Sequence, residues 1–255
     1  MPSVFYQKIF PQETVDKPQY RLFLERGWYR VQQILMTTDF IVIDGMPRRS
    51  FEEIEFEGHF QYLEGEVGPV FWLRVNLKKL GRQKKHPFQN YIQAHFRVET
   101  TAFEYHQEYE ELYAKYFEGV NFDASPTLFN YLFDNEGNDL FNSTAIKMYH
   151  HEKLIAFGIF DEGENCSAGI INCFDPAYKK YSLGNWLIQQ KIQFALENQH
   201  DYYYPGYFCT RVPKFDYKLK IAPEATEVWI REAQQWISYS PDLLPNLENY
   251  IIHTF

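Results

Sequence analysis

The sequence predicts a mixed α+β and α/β chain: a strand-rich N-terminal domain, then a larger domain in which strands and helices alternate. Three observations carry this. Between residues 31 and 75, β-branched and aromatic runs (VQQILMTT, DFIVID, SFEEIEFEGHFQYLE, VFWLRVNL) are separated by the turn signals DGMP and EGEVGP. Beyond residue 105, two stretches repeat apolar side chains at helical spacing. Between those stretches stand three short strands joined by hairpin turns. The 255 residues are 45% hydrophobic and 23% charged, which allows a sizeable core. Twenty Tyr and 23 Phe supply large apolar area, and each buried phenol needs a hydrogen-bond partner.

Along the chain, YRLFLERGWYR (Tyr20 to Arg30) reads as a short helix stopped at Gly27. The four strand runs follow. LGRQKKHP, with Gly, Pro and charge, is the best linker, which sets domains of 1–88 and 89–255. AHFRVETTA then reads as a strand. FEYHQEYEELYAKYF places Tyr105, Tyr109, Leu112, Tyr113 and Tyr116 on one helical face. SPTLFNYLF opens on Ser-Pro, an N-cap and first-turn pair. STAIKMYH, KLIAFGIFDE and AGIINCFD form a meander with turns at HHE and EGENCS. SLGNWLIQQKIQFALENQ is a helix capped by Ser182 that buries Leu183, Leu187, Ile188, Ile192 and Ala195. YYYPGYF is a further strand.

Composition bounds the function. The N-terminal MPSVFYQKIF lacks a basic flank followed by an apolar core, and no apolar run is long enough to span a bilayer, so the expectation is a cytoplasmic chain without a membrane partner. Cys166, Cys173 and Cys209 are dispersed, which reads as reduced core thiols with no metal and no disulfide. Adjacent His150 and His151 in a hairpin turn cannot both face one ion. A net charge of −9 opposes nucleic acid at long range, so any RNA contact needs a local basic patch. Two clusters qualify: Lys78, Lys79, Arg82, Lys84 and Lys85; and Arg211, Lys214, Lys218 and Lys220. No Ser-His-Asp order, HExxH or P-loop occurs.

Strand, two helices, three-strand meander, long helix and strand is the order of the GNAT (acyl-CoA N-acyltransferase) fold, with an acyl site where the last meander strand meets the long helix. At that junction, Phe174-Asp-Pro-Ala-Tyr-Lys-Lys-Tyr-Ser-Leu-Gly184 resembles a run of the arginyl-tRNA–protein transferases. Tyr204-Pro-Gly-Tyr-Phe208 resembles that family's Leu-Gly-Tyr-Tyr strand, and Val212-Pro-Lys-Phe-Asp-Tyr-Lys218 its Cys-Pro-Lys-Met-x-Tyr-Lys run. Upstream, LERGWYR is similar to its Gly-Trp-Arg-Arg motif, and Phe71-Trp-Leu-Arg74 to its Pro-x-Arg strand. The matches keep family order along nearly the whole chain. The chain departs from the pattern in four places: DFIVIDGMPRRSFEEIEF has no Cys where the family has Cys-x-x-Cys, and Tyr29, Pro205 and Asp216 replace Arg, Leu and Arg.

The resemblance implies transfer of an amino acid, arginine or similar, from aminoacyl-tRNA to the N-terminus of an acceptor protein. The partners are then a tRNA acceptor end and a protein N-terminus. It implies Tyr207, Tyr217 and Asp175 as catalytic residues, with Lys214, Lys218, Ser182, Gly184, Tyr178, Arg30, Trp28 and Arg74 binding substrates. Each also has a plainer reading: Ser182 as an ordinary cap, Asp175 as a turn starter, Trp28 as core, and Lys214 to Lys218 as an exposed strand. Aminoacyl-tRNA is expected as co-substrate with no cofactor. Coenzyme A is disfavoured, because Tyr181 and Trp186 stand where its binders carry Arg or Gln and a second small residue. Two other readings stay open: a non-catalytic module binding a peptide N-terminus, and a small-molecule N-acyltransferase.

Overall fold

Most neighbouring strands in this chain pair antiparallel, and the computed structural model shows how they assemble. It describes residues 6–44, 66–82, 84–119, 125–133 and 137–243. The strand expected over SFEEIEFEGHFQYLE lies outside these residues. In order, the elements are β1 (Tyr6–Ile9), α1 (Lys17–Glu25), β2 (Tyr29–Val31), β3 (Ile34–Thr38), β4 (Phe40–Asp44), β5 (Glu66–Asn76), α2 (Gln89–His95), β6 (Arg97–Ala102), α3 (Gln107–Glu118), α4 (Leu128–Leu132), β7 (Ser143–His150), β8 (Lys153–Gly163), β9 (Cys166–Phe174), α5 (Leu183–Glu197), β10 (Tyr202–Cys209), β11 (Thr226–Ile230) and β12 (Gln235–Ser238).

Local chemistry explains the helix ends. Asp16 accepts the Gln19 amide at 2.7 Å, Pro18 fills the first turn of α1, and Gly27 at φ +73° ends it. A Cβ at Gly27 would fall inside the Trp229 ring. In α4 the cap is Thr127, which accepts the Asn130 amide at 3.1 Å, and not Ser125. Helix α2 occupies part of the stretch read as strand. It buries only Ile92 and Phe96 after it, too little apolar repetition to register as a period.

Nine strands make one sheet in the order β12-β11-β5-β10-β9-β8-β7-β6, with β4 also on β5; β1, β3 and β2 form a separate sheet. β10 runs parallel to β9, and the other pairings are antiparallel. With β6, α3, α4, the β7–β9 meander, α5 and β10 in this arrangement, the layout is GNAT-like. β5, which precedes residue 88, lies between β10 and β11, so the sheet is continuous across that position.

Adjacent residues on a strand face opposite sides. Phe157 of β8 packs on Tyr109 of α3, whereas Gly158 makes room for Lys191 and Leu187 of α5. Thus α3 covers one face and α5 the other. The aromatic stripe of α3 is core, buried through Tyr109, Leu112 and Tyr113. One departure matters most. Tyr203 pairs with Val75 and Gly206 with Leu73, so β10 carries one extra residue at Tyr204–Pro205. A single extra residue reverses which face the following side chains occupy.

Candidate functional site

The parallel pairing of β9 with β10 covers only Cys166–Ala168 and Tyr202–Tyr204. Beyond it the strands separate. Residues 169–172 of β9 are partly exposed although 166–168 and 173 are buried, so solvent reaches the middle of a central strand. Carbonyls left without a ladder partner must find other donors. Side chains supply them in succession. The Tyr29 hydroxyl donates to the Gly169 carbonyl and lies 3.3 Å from that of Tyr204. Tyr131 donates to Ile170 at 3.3 Å. Lys191 donates to Ile171 at 2.9 Å and to Ile159 at 2.7 Å.

More phenols gather over this gap. Burial raises the pKa of Tyr29, Tyr116, Tyr131 and Tyr203, and the Tyr217 phenol raises each of them further. Tyr207 is pushed up to about 12 by burial, then by Cys209. The Tyr217 side chain is 40% exposed, yet its hydroxyl end is sunk among the others and burial raises its pKa. All six therefore keep their protons at neutral pH. They can donate hydrogen bonds and cannot serve as bases there.

Two lysines complete the gap. Lys218 donates to the Tyr207 carbonyl at 2.7 Å, with its ammonium 5.2 Å from the Tyr207 ring and 5.0 Å from Phe215. Lys191 is fully buried, and burial lowers its pKa to about 7 against smaller opposing effects of Cys173 and Asp161. Beside it the Asn172 Oδ1 is buried without a hydrogen-bond partner among the described residues. A Cβ at Gly158 would stand 2.8 Å from that oxygen and 2.9 Å from Lys191 Cε.

The expected site residues divide. Tyr207, Tyr217 and Lys218 meet at the gap. The Lys214 side chain lies outside the described residues. Pro213–Lys220 is a 3₁₀ turn and not the exposed strand expected, its first amide removed by Pro213 and Phe215 hydrogen-bonding back to Val212 at 3.1 Å. Asp175 is buried at the far end of β9. It caps the turn Pro176–Tyr181 through the Ala177 amide (2.9 Å) and accepts Lys153 at 2.6 Å. Burial raises its pKa, and those donors outweigh it to leave the carboxyl below its ordinary range. Tyr178 sits 2.8 Å from His150 Nδ1. Ser182 heads α5 at φ +51° with no side-chain cap bond, contrary to the capping role expected. Gly184 faces the Phe174 ring across ordinary contact distance, so no steric need fixes it.

Ser182 and Tyr207 do not share a face. Tyr207 packs edge-on to Trp72 at 5.3 Å, on the α1 and α3 side, because the extra residue in β10 turns it away from α5. Arg30 is consumed in the core: it pairs with buried Asp161 at 2.7 Å and donates to Ser143 and Leu132, while Tyr20 also holds Asp161. Arg74 pairs with Glu227 at 2.7 Å between the rings of Tyr202 and Trp236. Trp28 packs edge-on to Phe23 at 5.7 Å. The gap residues absent from the expectations are Tyr29, Tyr116, Tyr131, Tyr203, Lys191 and Asn172. Lys191 was detectable: it occupies the apolar stripe of α5, four residues after Leu187 and four before Ala195. Trp186 is buried and donates to Gln89 at 3.1 Å.

Residues 88–227, the span holding β6 to β10 and the turn after it, match a family described as arginine-tRNA-protein transferase, C terminus. The chain belongs to the arginine-tRNA-protein transferase family. Among relatives, it is 30% identical over 148 residues to an aspartate/glutamate leucyltransferase of Hahella chejuensis, a match over 56% of this chain and 59% of that protein. It is 32% identical over 92 residues to arginyl-tRNA–protein transferase 1 of Arabidopsis thaliana, over 34% of this chain and 14% of that one. The chain therefore spans less than two thirds of each of these transferases. Among solved structures, the C-terminal domain of a putative lysylphosphatidylglycerol synthetase from Agrobacterium fabrum aligns with TM-score 0.40 and 10% identity, over 71% of this chain and 64% of that one. Among the described residues, no helix is long and apolar enough to cross a membrane. No three or more His, Cys, Asp or Glu side chains gather in a metal-binding group there.

Proposed function

We propose that this transferase-family chain moves an amino acid from an aminoacyl-tRNA to the N-terminal amine of a protein, with the gap between β9 and β10 as the reaction site. The observation that carries the reading is the cluster of neutral phenols where two central strands separate, all but Tyr29 inside the span matched to the family. In the reaction the amine attacks the ester carbonyl, a tetrahedral oxyanion forms, and the ribose hydroxyl departs with the proton the amine gives up. Phenols held as donors, Tyr207 and Tyr217 first among them, suit the oxyanion. Lys218 places a cation beside them, and Lys214, four residues before it in sequence, is the second lysine assigned to the phosphates. Arg30 and Arg74 act at one remove, by fixing the strands that carry the gap. Asp175, Tyr178, Ser182 and Gly184 lie toward the start of α5, where a bound acceptor end would pass, and Trp28 supports Tyr29 from the core. The relatives carry names of both arginyl and leucyl transfer, so arginine and leucine are the donors to try. Charged tRNA is a cytosolic substrate, in keeping with a cytoplasmic chain.

The test is incubation of the chain with tRNA charged with either amino acid and peptides beginning with Asp, Glu or a neutral residue. The expected result is a mass gain of one aminoacyl group on the peptide amine. Hydrolysis of the charged tRNA without peptide gain, or no change in either, would remove the proposal.

A further inference from the structure

Away from the gap, α2 and the turn Pro176–Tyr181 meet around one ring. Tyr181 is buried beneath Tyr91, stacked at 5.0 Å, and is met edge-on by Phe88 and Phe96, each at 5.5 Å. The stack continues outward, since Tyr91 lies parallel to His95 at 4.0 Å. Tyr91 remains 41% exposed and Phe88 36%. Lysines border the rings. The Lys180 ammonium stands 4.8 Å from the Tyr181 ring, with Lys179 beside it in sequence. The Lys84 carbonyl accepts the Gln189 amide at 3.4 Å, which holds exposed Lys84 and Lys85 against α5 near Phe88. Among the described residues none of these four lysines forms an ion pair.

Packing alone accounts for Tyr181 and Phe96, which are buried. It does not account for two large rings left in solvent among four cations on a chain of net charge −9. Stacked rings offer a face to any base, and lysines neutralise phosphates, so rings and lysines together form a platform for single-stranded nucleic acid. The platform also leads toward the gap. Phe174 adjoins Gly184 at the head of α5 and packs on Tyr116 at 5.6 Å, and the Tyr116 phenol belongs to the gap cluster.

We propose that this face binds the single-stranded acceptor end of tRNA, with bases stacked on exposed His95, the outer ring of the Tyr181–Tyr91–His95 stack, and on Phe88, and phosphates on Lys84, Lys85, Lys179 and Lys180. The choice of tRNA over other single strands rests on the proposed reaction; the platform itself does not. The test measures binding of an uncharged RNA hairpin with a short single-stranded acceptor tail against the same hairpin with a blunt end. The parent should prefer the tailed hairpin. Tyr91→Ala, which removes the ring supporting His95, should weaken that binding by about ten-fold, as loss of one stacked base does, and Tyr91→Phe should restore it. Lys180→Ala should lower the slope of log K against log salt by about 0.7, the contribution of one contacted phosphate on a single strand. Equal binding of both hairpins by the parent, or tailed binding unchanged in Tyr91→Ala, would overturn the proposal. Tail-dependent binding without aminoacyl transfer would leave the face standing and reject the reaction. Transfer with unchanged binding in Tyr91→Ala would do the reverse.

Discussion

Lys191 shows how much one side chain can do in a core. A charged group in the interior is costly unless its partners are in place, and here two strand carbonyls hold the amine at the point where β9 leaves β10. Burial depresses its pKa from 10.5 to about 7. Between those values the unfolded chain binds more protons than the folded one, so the stability assigned to this group rises with pH across that window. Lys191→Met removes the titration. The difference in unfolding free energy, parent minus variant, should grow from near pH 7 toward pH 10 in urea melts; a difference that stays flat would mean the amine is not buried as described. The thiols behave in kind. Burial raises Cys166 to about 12 and lifts Cys173 well above the ordinary thiol value, so neither should react with a disulfide reagent at neutral pH until the chain is unfolded. Both facts were partly legible in sequence. Dispersed cysteines read as core thiols, and a lysine on the apolar stripe of α5 was visible. That its ammonium ends on β8 and β9 carbonyls depends on Gly158, whose partner across the sheet no linear pattern reveals.

Strand β10 teaches the same lesson for elements. Its apolar and aromatic run marked a strand, and it is one. Pro205-Gly206 at its centre also carried a bulge signal, since a proline cannot donate in a ladder and glycine tolerates φ +89°. Because of that extra residue, Tyr203 faces α5 while Tyr207 faces Trp72, on the opposite side of the sheet from α5. Gly206→Ala would put a Cβ 3.2 Å from the Lys218 ammonium at a backbone angle that L residues avoid. It should cost ~1 kcal/mol or more and loosen the Pro213–Lys220 turn from the Tyr207 carbonyl; a melting temperature equal to the parent's would refute this. Ser182 makes the opposite case. It adopts φ +51° and caps nothing with its side chain, so Ser182→Gly should be neutral or stabilising by a few tenths of a kcal/mol, whereas a capping serine would lose stability.

At the scale of the molecule, the meander, the long helix and the mixed sheet were readable because hydrophobic periods and hairpin turns are local. The position of β5 was not, because pairing it between β10 and β11 joins residues more than a hundred apart in sequence. A fragment of residues 89–255 would expose the edges of both strands, along with Phe208 and Val228, which pack on Phe71 and Leu73 of β5. We expect that fragment to be insoluble or partly unfolded by circular dichroism; a cooperative melt like the parent's would show that 89–255 is a self-sufficient domain. The central claim, that the phenols at the β9–β10 gap perform aminoacyl transfer, is tested most directly by the rate of transfer in Tyr207→Phe and Tyr217→Phe beside their melting curves. Each variant removes one hydroxyl and keeps the ring, so both should melt with the parent while transfer falls on the order of 10²-fold per lost donor. Variants that melt normally and transfer at the parent's rate would contradict the account.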